Sequence, residues 1–331
     1  MSLRVGVIGL GAMGRNHARV YWELPDADLV GVSDINLEAV EGIAKKFNTE
    51  GYSDFRTMLD RTKPEAVSLA VPTSLHKEVA LEAIQRSIHI LIEKPIAFSL
   101  EEAIEIAQAA QQYNVQLMIG HIERFNPAIL ELKQHIQAGD LGEVLQLDAR
   151  RQGPFPSRIN DVGVVIDLAV HDIDIMRFVT GQEVQRVSAE IQYHIHSGKE
   201  DLLSAVMRFS KGAVGTLNTN WLTPTKIREI SVLGTNGLFV VNYLTQDLRF
   251  FKNSAISAEW ETLNILRGVT EGEMTKFVFP RKEPLRAEVE AFLSAVRGEI
   301  PVPVNAKDGF AALKVAQALI QAGQRYSIIT I

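Results

Sequence analysis

Val5-Gly6-Val7-Ile8-Gly9-Leu10-Gly11-Ala12-Met13-Gly14 carries an apolar run straight into Gly-x-Gly-x-x-Gly, and Asp34 follows Gly14 by twenty residues. This spacing fits a strand-to-helix turn built to receive a dinucleotide. Gly9 permits the tight turn, Gly11 lets the backbone approach a pyrophosphate, and Gly14 lets the following helix pack close to the strand. The helix start, with Ala12 and Met13, offers free N–H groups to the phosphates. Glycines also mark ordinary turns. Here the strand before them, the helix after them and a second strand over Leu29–Ser33 that ends at an acid all agree.

Working outward, strands and helices alternate as far as Gly120. The pattern predicts helix Leu37–Phe47, strand Ala66–Val71, helix Leu75–Gln85, strand Ile88–Ile92, helix Leu100–Tyr113 and strand Gln116–Ile119. The strands are continuous apolar runs, as expected of strands covered on both faces, so the fold class is α/β with a doubly wound parallel sheet. Ser99-Leu100-Glu101-Glu102 has the form of a capping box. Beyond His121 the pattern changes. Asn126-Pro127 opens an amphipathic helix ending near Gly139, and two-residue alternations follow over Arg186–His196, Leu203–Phe209, Ala213–Asn220, Ile230–Leu233 and Leu238–Tyr243. A second α/β domain with an open mixed, largely antiparallel sheet is expected. The boundaries are 1–121 for cofactor and 122–331 for substrate and oligomerisation, and helices Leu285–Val296 and Asp308–Ala322 look structural.

Composition narrows the function. The chain has 331 residues, is 46% hydrophobic and 22% charged, and carries a formal charge of −6. That balance gives no electrostatic footprint for nucleic acid or an anionic membrane surface, so a small-molecule partner is expected. Zero cysteines exclude disulfides, thiol nucleophiles and cysteine-ligated zinc, so redox chemistry has to come from a bound organic cofactor. The apolar N-terminus is short, glycine-interrupted and needed as a strand, and no apolar run reaches membrane-spanning length. A cytoplasmic location is expected.

In an open parallel sheet ligands bind beyond the carboxyl ends of the strands. Four places qualify: Gly9–Gly14, Asp34, Pro72-Thr73 through His76, and Glu93-Lys94-Pro95. Asp34 is placed to accept hydrogen bonds from the ribose hydroxyls of NAD and to repel the 2′-phosphate of NADP, or else it caps the next helix. Lys94 reads either as a solvated surface residue or as an ammonium able to polarise a reacting oxygen; the proline after it favours an extended, fixed direction. Asp167 and His171 stand four apart in an apolar segment, so on a helix they share a face. They read as a general base with its orienting acid, as a metal pair, or as a satisfied core histidine; no third ligand is spaced to complete a metal site, and no metal is expected. His194 and His196 read as surface residues. His17 and His76 either line the ligand side of the sheet or are exposed.

Taken together, Gly9-Leu10-Gly11-Ala12-Met13-Gly14, Glu93-Lys94-Pro95 and Asp167-x-x-x-His171 resemble the Gfo/Idh/MocA oxidoreductase family over essentially the whole chain. The resemblance implies an N-terminal Rossmann domain, a C-terminal α/β domain, and NAD(P)-dependent oxidation or reduction of a sugar, cyclitol or related polyol. It also implies a homodimer or homotetramer formed through the C-terminal sheet. In its terms Lys94 is the catalytic lysine, His171 the acid/base and Asp167 its partner. Two further stretches, Gly120-His121-Ile122-Glu123-Arg124-Phe125-Asn126-Pro127 and 151–163, are similar to the UDP-N-acetylglucosamine 3-dehydrogenase branch. A nucleotide diphosphate needs cations, and Arg124, Arg151 and Arg158 can fork onto phosphate oxygens, with Asn126 beside them. Alternatively these arginines pair with Glu123, Asp148 or Asp161. A free inositol or sugar dehydrogenase and a non-catalytic sugar-sensing regulator on the same fold remain the other readings.

Overall fold

The computed structural model describes residues 2–156, 162–195, 198–253 and 272–331, which fall into two compact units. The first comprises residues 1–125 and 282–314, the second residues 126–281 and 315–331.

Unit one is built on six parallel strands: β1 (Leu3–Ile8), β2 (Ala27–Ser33), β3 (Glu50–Tyr52), β4 (Ala66–Leu69), β5 (His89–Glu93) and β6 (Leu117–Gly120). Their spatial order is β3-β2-β1-β4-β5-β6. The chain winds outward from β1 to β3 and then returns to lay β4 on the other side of β1, so the winding reverses between β1 and β4. That is where an open sheet leaves a crevice at its carboxyl edge. The connecting helices are α1 (Ala12–Glu23), α2 (Leu37–Phe47), α3 (Phe55–Thr62), α4 (His76–Gln85) and α5 (Leu100–Gln112). Polar caps set their starts: Asn36 accepts from Ala39 N–H, Asp54 from Thr57 N–H, and Ser99 from Glu102 N–H. Glu102 completes the predicted capping box one residue early, accepting from Phe98 N–H rather than from Ser99.

Two elements were not visible in the pattern. β3 is only three residues long and shows no alternation. α3 buries Met58, Leu59 and Thr62 among charged neighbours, and Met58 fills the space beside Gly31 of β2.

Unit two opens with α6 (Pro127–Ala138), capped by Asn126 and ended by Gly139 at φ 86°, as the sequence predicts. Its nine-stranded sheet uses β7 (Val144–Pro154), β8 (Val184–Gln192), β9 (Leu202–Phe209), β10 (Val214–Asn220), β11 (Leu222–Gly234), β12 (Gly237–Asn242), β13 (Asp247–Lys252), β14 (Met274–Phe277) and β15 (Ile329–Thr330). The order is β14-β13-β12-β11-β7-β10-β9-β8-β15, with only the β7/β10 pair parallel among the described strands. Alternate residues of β7 (Leu147, Ala149, Arg151, Gly153) are buried. α7 (Val170–Thr180) packs against β7 and α6.

The chain after residue 281 departs from the expected 122–331 division. α8 (Pro284–Val296) sets Leu285, Val289 and Phe292 on its buried face and packs on α1 and on the turn at Ile122–Phe125, so residues 282–314 belong to unit one. The division falls within α9 (Ala306–Arg325). No helix among the described residues is long and apolar enough to cross a membrane.

Candidate active site

The glycine turn has the stereochemistry its spacing demands. Gly9 sits at φ +90°, and a Cβ there would lie 2.5 Å from the Ala70 carbonyl oxygen after β4. A Cβ on Gly14 would lie 1.7 Å from the Gly9 carbonyl oxygen, so only hydrogen allows α1 to start this close to β1. At Gly11 a Cβ meets nothing within 4 Å, and Gly11 and Ala12 are exposed while Met13 is half-buried. α1 begins at Gly11 with no side-chain cap and no acid in its first turn, and the first bond back along it is Arg15 N–H to Gly11 O. As the first N–H groups of the helix, those of Ala12, Met13 and Gly14 have no acceptor four residues back within α1, the arrangement that suits an anion.

Asp34 stands one residue beyond β2 and is half-buried. Its Oδ2 accepts Leu10 N–H at 2.5 Å and its Oδ1 accepts Asn36 N–H at 2.8 Å. It is not the cap of α2, because Asn36 fills that position. A carboxylate offers about four acceptor positions, and backbone donors take two here, so capacity remains for a ribose diol. Open space at Gly11, an uncapped helix start and a fixed acid thus fit a nicotinamide dinucleotide.

The other strand ends divide into surface and support. Pro72 is exposed, whereas Thr73 is buried in the short turn Thr73–Leu75. His76 is 1% exposed, with Nδ1 at 2.9 Å from Pro95 O and Nε2 at 3.1 Å from Val71 O. It therefore sits between the loops after β4 and β5, able as a neutral ring to donate to one of the two carbonyls, and is buried rather than exposed. Burial, only partly offset by those carbonyls, holds its pKa below the usual histidine value. Glu93 is likewise buried, with Oε1 at 2.9 Å from His17 Nε2, and His17 is fully buried rather than exposed. Lys94 follows at a cis Lys94–Pro95 peptide and keeps partial exposure.

In unit two, Val165–Ala169 forms a π-helical turn that runs directly into α7; Val170 N–H reaches back to Val165 O. Such turns are rare and concentrate at functional sites. Asp167 lies within the π turn and His171 in the first turn of α7. Both are half-buried, while Val165, Ala169, Val170, Asp172 and Ile173 around them are buried. The acid and the imidazole thus keep partial access to solvent, as do Ile166 and Leu168 beside Asp167. Glu200, which the sequence reading passed over, secures its start: Oε1 accepts Val165 N–H at 3.1 Å, and the carboxylate lies so close to Gly163 that a Cβ there would stand 2.1 Å from it. Burial raises the Glu200 pKa.

Arg124 and Arg151, two of the three expected phosphate-binding arginines, have carboxylate partners; Asp161, one of the acids named from sequence, lies outside the described residues. Arg151 makes a bidentate pair with Asp172, Nε to Oδ2 at 2.7 Å and Nη2 to Oδ1 at 3.0 Å, with side chains 4% and 1% exposed. Arg124 pairs with Asp308 at 3.0 Å. Asn126 is engaged at both ends, Oδ1 accepting Ala128 N–H and Nδ2 donating to Tyr243 O. Arg158 and His196 lie outside the described residues.

Comparison with known proteins agrees with this geometry. Residues 3–121 match the model of an oxidoreductase family with an NAD-binding Rossmann fold, and residues 129–240 match the GFO/IDH/MocA C-terminal domain. UDP-N-acetylglucosamine 3-dehydrogenase of Acidithiobacillus ferrooxidans is 31% identical over 97% of this chain and 96% of its own. A solved structure of that enzyme superimposes with a TM-score of 0.87 at 29% identity, covering 98% of this chain and 99% of the other. The NAD(+)-dependent scyllo-inositol 2-dehydrogenase of Bacillus subtilis is 28% identical over 94% of this chain and 93% of its own. With its glycine turn, acid-tipped β2 and two matched domains, this chain belongs to the Gfo/Idh/MocA family of NAD-dependent oxidoreductases.

Proposed function

We propose that this NAD-dependent sugar dehydrogenase oxidises the C3 hydroxyl of a UDP-linked N-acetylhexosamine. The observation that carries the substrate is the similarity to UDP-N-acetylglucosamine 3-dehydrogenase over nearly the full length of both chains, at 31% identity. The inositol dehydrogenases of Bacillus subtilis and Thermotoga maritima stand at 28% and 26%, which keeps a free cyclitol as the second reading. Arg124 and Arg151 already hold carboxylates, so the nucleotide part of the proposal rests on the whole-chain similarity and not on those two guanidinium groups.

Gly9 through Gly14 and Asp34 would hold NAD, which when bound would supply the hydride acceptor. The protein's own part is to move the hydroxyl proton as the carbinol carbon becomes a ketone. His171 takes that proton as general base. Asp167, four residues earlier, orients the imidazole, and the Lys94 ammonium stabilises the developing alkoxide. The face of the second sheet that carries Val206, 49% exposed, is the surface we assign to a homodimer or homotetramer.

The test is steady-state NADH formation with UDP-N-acetylglucosamine, free N-acetylglucosamine and myo-inositol in parallel. The nucleotide sugar should be turned over far more efficiently, and UDP should compete with it. Efficient myo-inositol oxidation without inhibition by UDP would replace the first reading by the second.

A further inference from the structure

Behind the Glu93-Lys94-Pro95 segment lies a buried polar cluster that proton transfer to His171 leaves unused. Glu288 occupies the apolar face of α8, three residues after Leu285 and one before Val289, and is 0% exposed. Neither of its carboxylate oxygens has a hydrogen-bond partner among the described residues. One Glu288 oxygen, one Glu93 oxygen and one His17 ring nitrogen all lie within 4.8 Å of one another.

Such a set suits a divalent cation in type. His17, however, gives Nε2 to Glu93 at 2.9 Å and Nδ1 to Ser68 Oγ at 3.1 Å, and Ser68 is bonded in turn to Tyr21 Oη at 2.8 Å. With both ring nitrogens engaged, the imidazole has no lone pair to give a metal. A proton is the occupant that fits. Two carboxyl groups this close in a dry interior do not both ionise. Burial raises Glu93, but its hydrogen bond to His17 and the cationic groups around it bring it below the usual carboxylate range. Burial and the Glu93 charge push Glu288 well above that range.

We propose that Glu288 is a positioning residue for Lys94: a neutral carboxylic acid that fills the space beside Glu93 without adding a second negative charge, thereby leaving the Glu93–His17 pair intact and holding the lysine that follows it. The groups facing it are His17 and Tyr21 from α1 and Glu93 from the end of β5; Lys94 and His76 act in turn on Glu93, and α8 also packs on the turn at Ile122–Phe125, which carries Glu123 and Arg124. On α8 itself, Arg286 and Glu290 pair with each other nearer the surface. Glu93 supplies the opposing like charge.

A carboxyl whose folded pKa is raised contributes stability that is complete below its ordinary value and is lost as pH rises through the raised one. E288Q keeps a hydrogen-bond donor and cannot ionise. Melting temperatures of wild type and E288Q, followed from about pH 5 to about pH 10, should diverge on the alkaline side, with wild type losing more. Parallel curves would overturn the neutral state of Glu288. That measurement does not involve substrate. The effect on Lys94 rests on the catalytic reading of that residue, and it is read in two ways. Wild-type kcat should fall at alkaline pH where E288Q does not, with KM for NAD unchanged, and E288A should lose at least about tenfold in kcat at every pH while E288Q restores it. Should no sugar be turned over, the rate at which a small amine reagent labels Lys94, followed by peptide mass spectrometry, reports the same positioning. Unchanged labelling in E288Q and E288A across pH would overturn it.

Discussion

The backbone N–H of Leu10, inside the glycine turn, donates to the Asp34 carboxylate at 2.5 Å, so the acid that we propose reads the cofactor also braces the glycine turn. A 2′-phosphate beside that carboxylate loses a hydrogen bond and gains a like charge, each on the order of 1 to 3 kcal/mol. NAD should therefore bind roughly tenfold to a thousandfold more tightly than NADP. In D34A the gap should narrow, and NAD affinity should fall as well because Leu10 N–H loses its acceptor. Calorimetric titration of both cofactors checks this, and tighter binding of NADP by the wild-type protein contradicts it.

Lys94 and His171 keep partial exposure in segments whose neighbours are buried, as groups must that meet a substrate. K94A and H171A should each lower kcat by about a hundredfold to ten-thousandfold, the usual share of a positioned acid or base, with NAD affinity retained. Their losses should be less than additive in the double variant if both serve one proton transfer. Turnover of H171A within threefold or so of wild type would make His171 a structural residue.

What the sequence disclosed was what local pattern controls. Gly14 is legible because its neighbour in space, Gly9, is also its neighbour in sequence, and Asn126 with Gly139 bracket α6 through purely local capping. Asp34 needed only one strand crossover. What stayed hidden depends on distant parts of the chain. No spacing rule joins Arg151 to Asp172 or Glu288 to Glu93, and the π turn at Val165–Ala169 looks in sequence like any apolar helix. One clue to Glu288 was present: an acid in the stripe Leu285, Glu288, Val289, Phe292 occupies a position where a helix normally sets an apolar side chain. At His76 only the exposed alternative fails: a histidine opening a helix after a strand can look solvent-facing, whereas the ring is buried between the Val71 and Pro95 carbonyls.

Arg151 is where the substrate reading and the structure make competing demands, and a mutant cycle separates them. Its guanidinium lies against the Tyr243 ring at 5.0 Å and grips Asp172 in two bonds, so it clamps the residue directly after His171 to β7. Removing one member of a buried pair leaves the other charge without compensation and costs about 3 to 5 kcal/mol. R151A and D172A should each lower unfolding free energy by that order in urea titrations. The double variant R151A/D172A should lose clearly less than their sum, since no orphaned charge remains. Both single variants should also reduce kcat, because the first turn of α7 loses the tie that sets His171. A diphosphate-binding Arg151 leaves a different signature: R151A would raise KM for the nucleotide sugar at least tenfold while D172A would not, and the stability changes would simply add. The first pattern places Arg151 in the support of the acid/base helix, and the second returns it to the substrate.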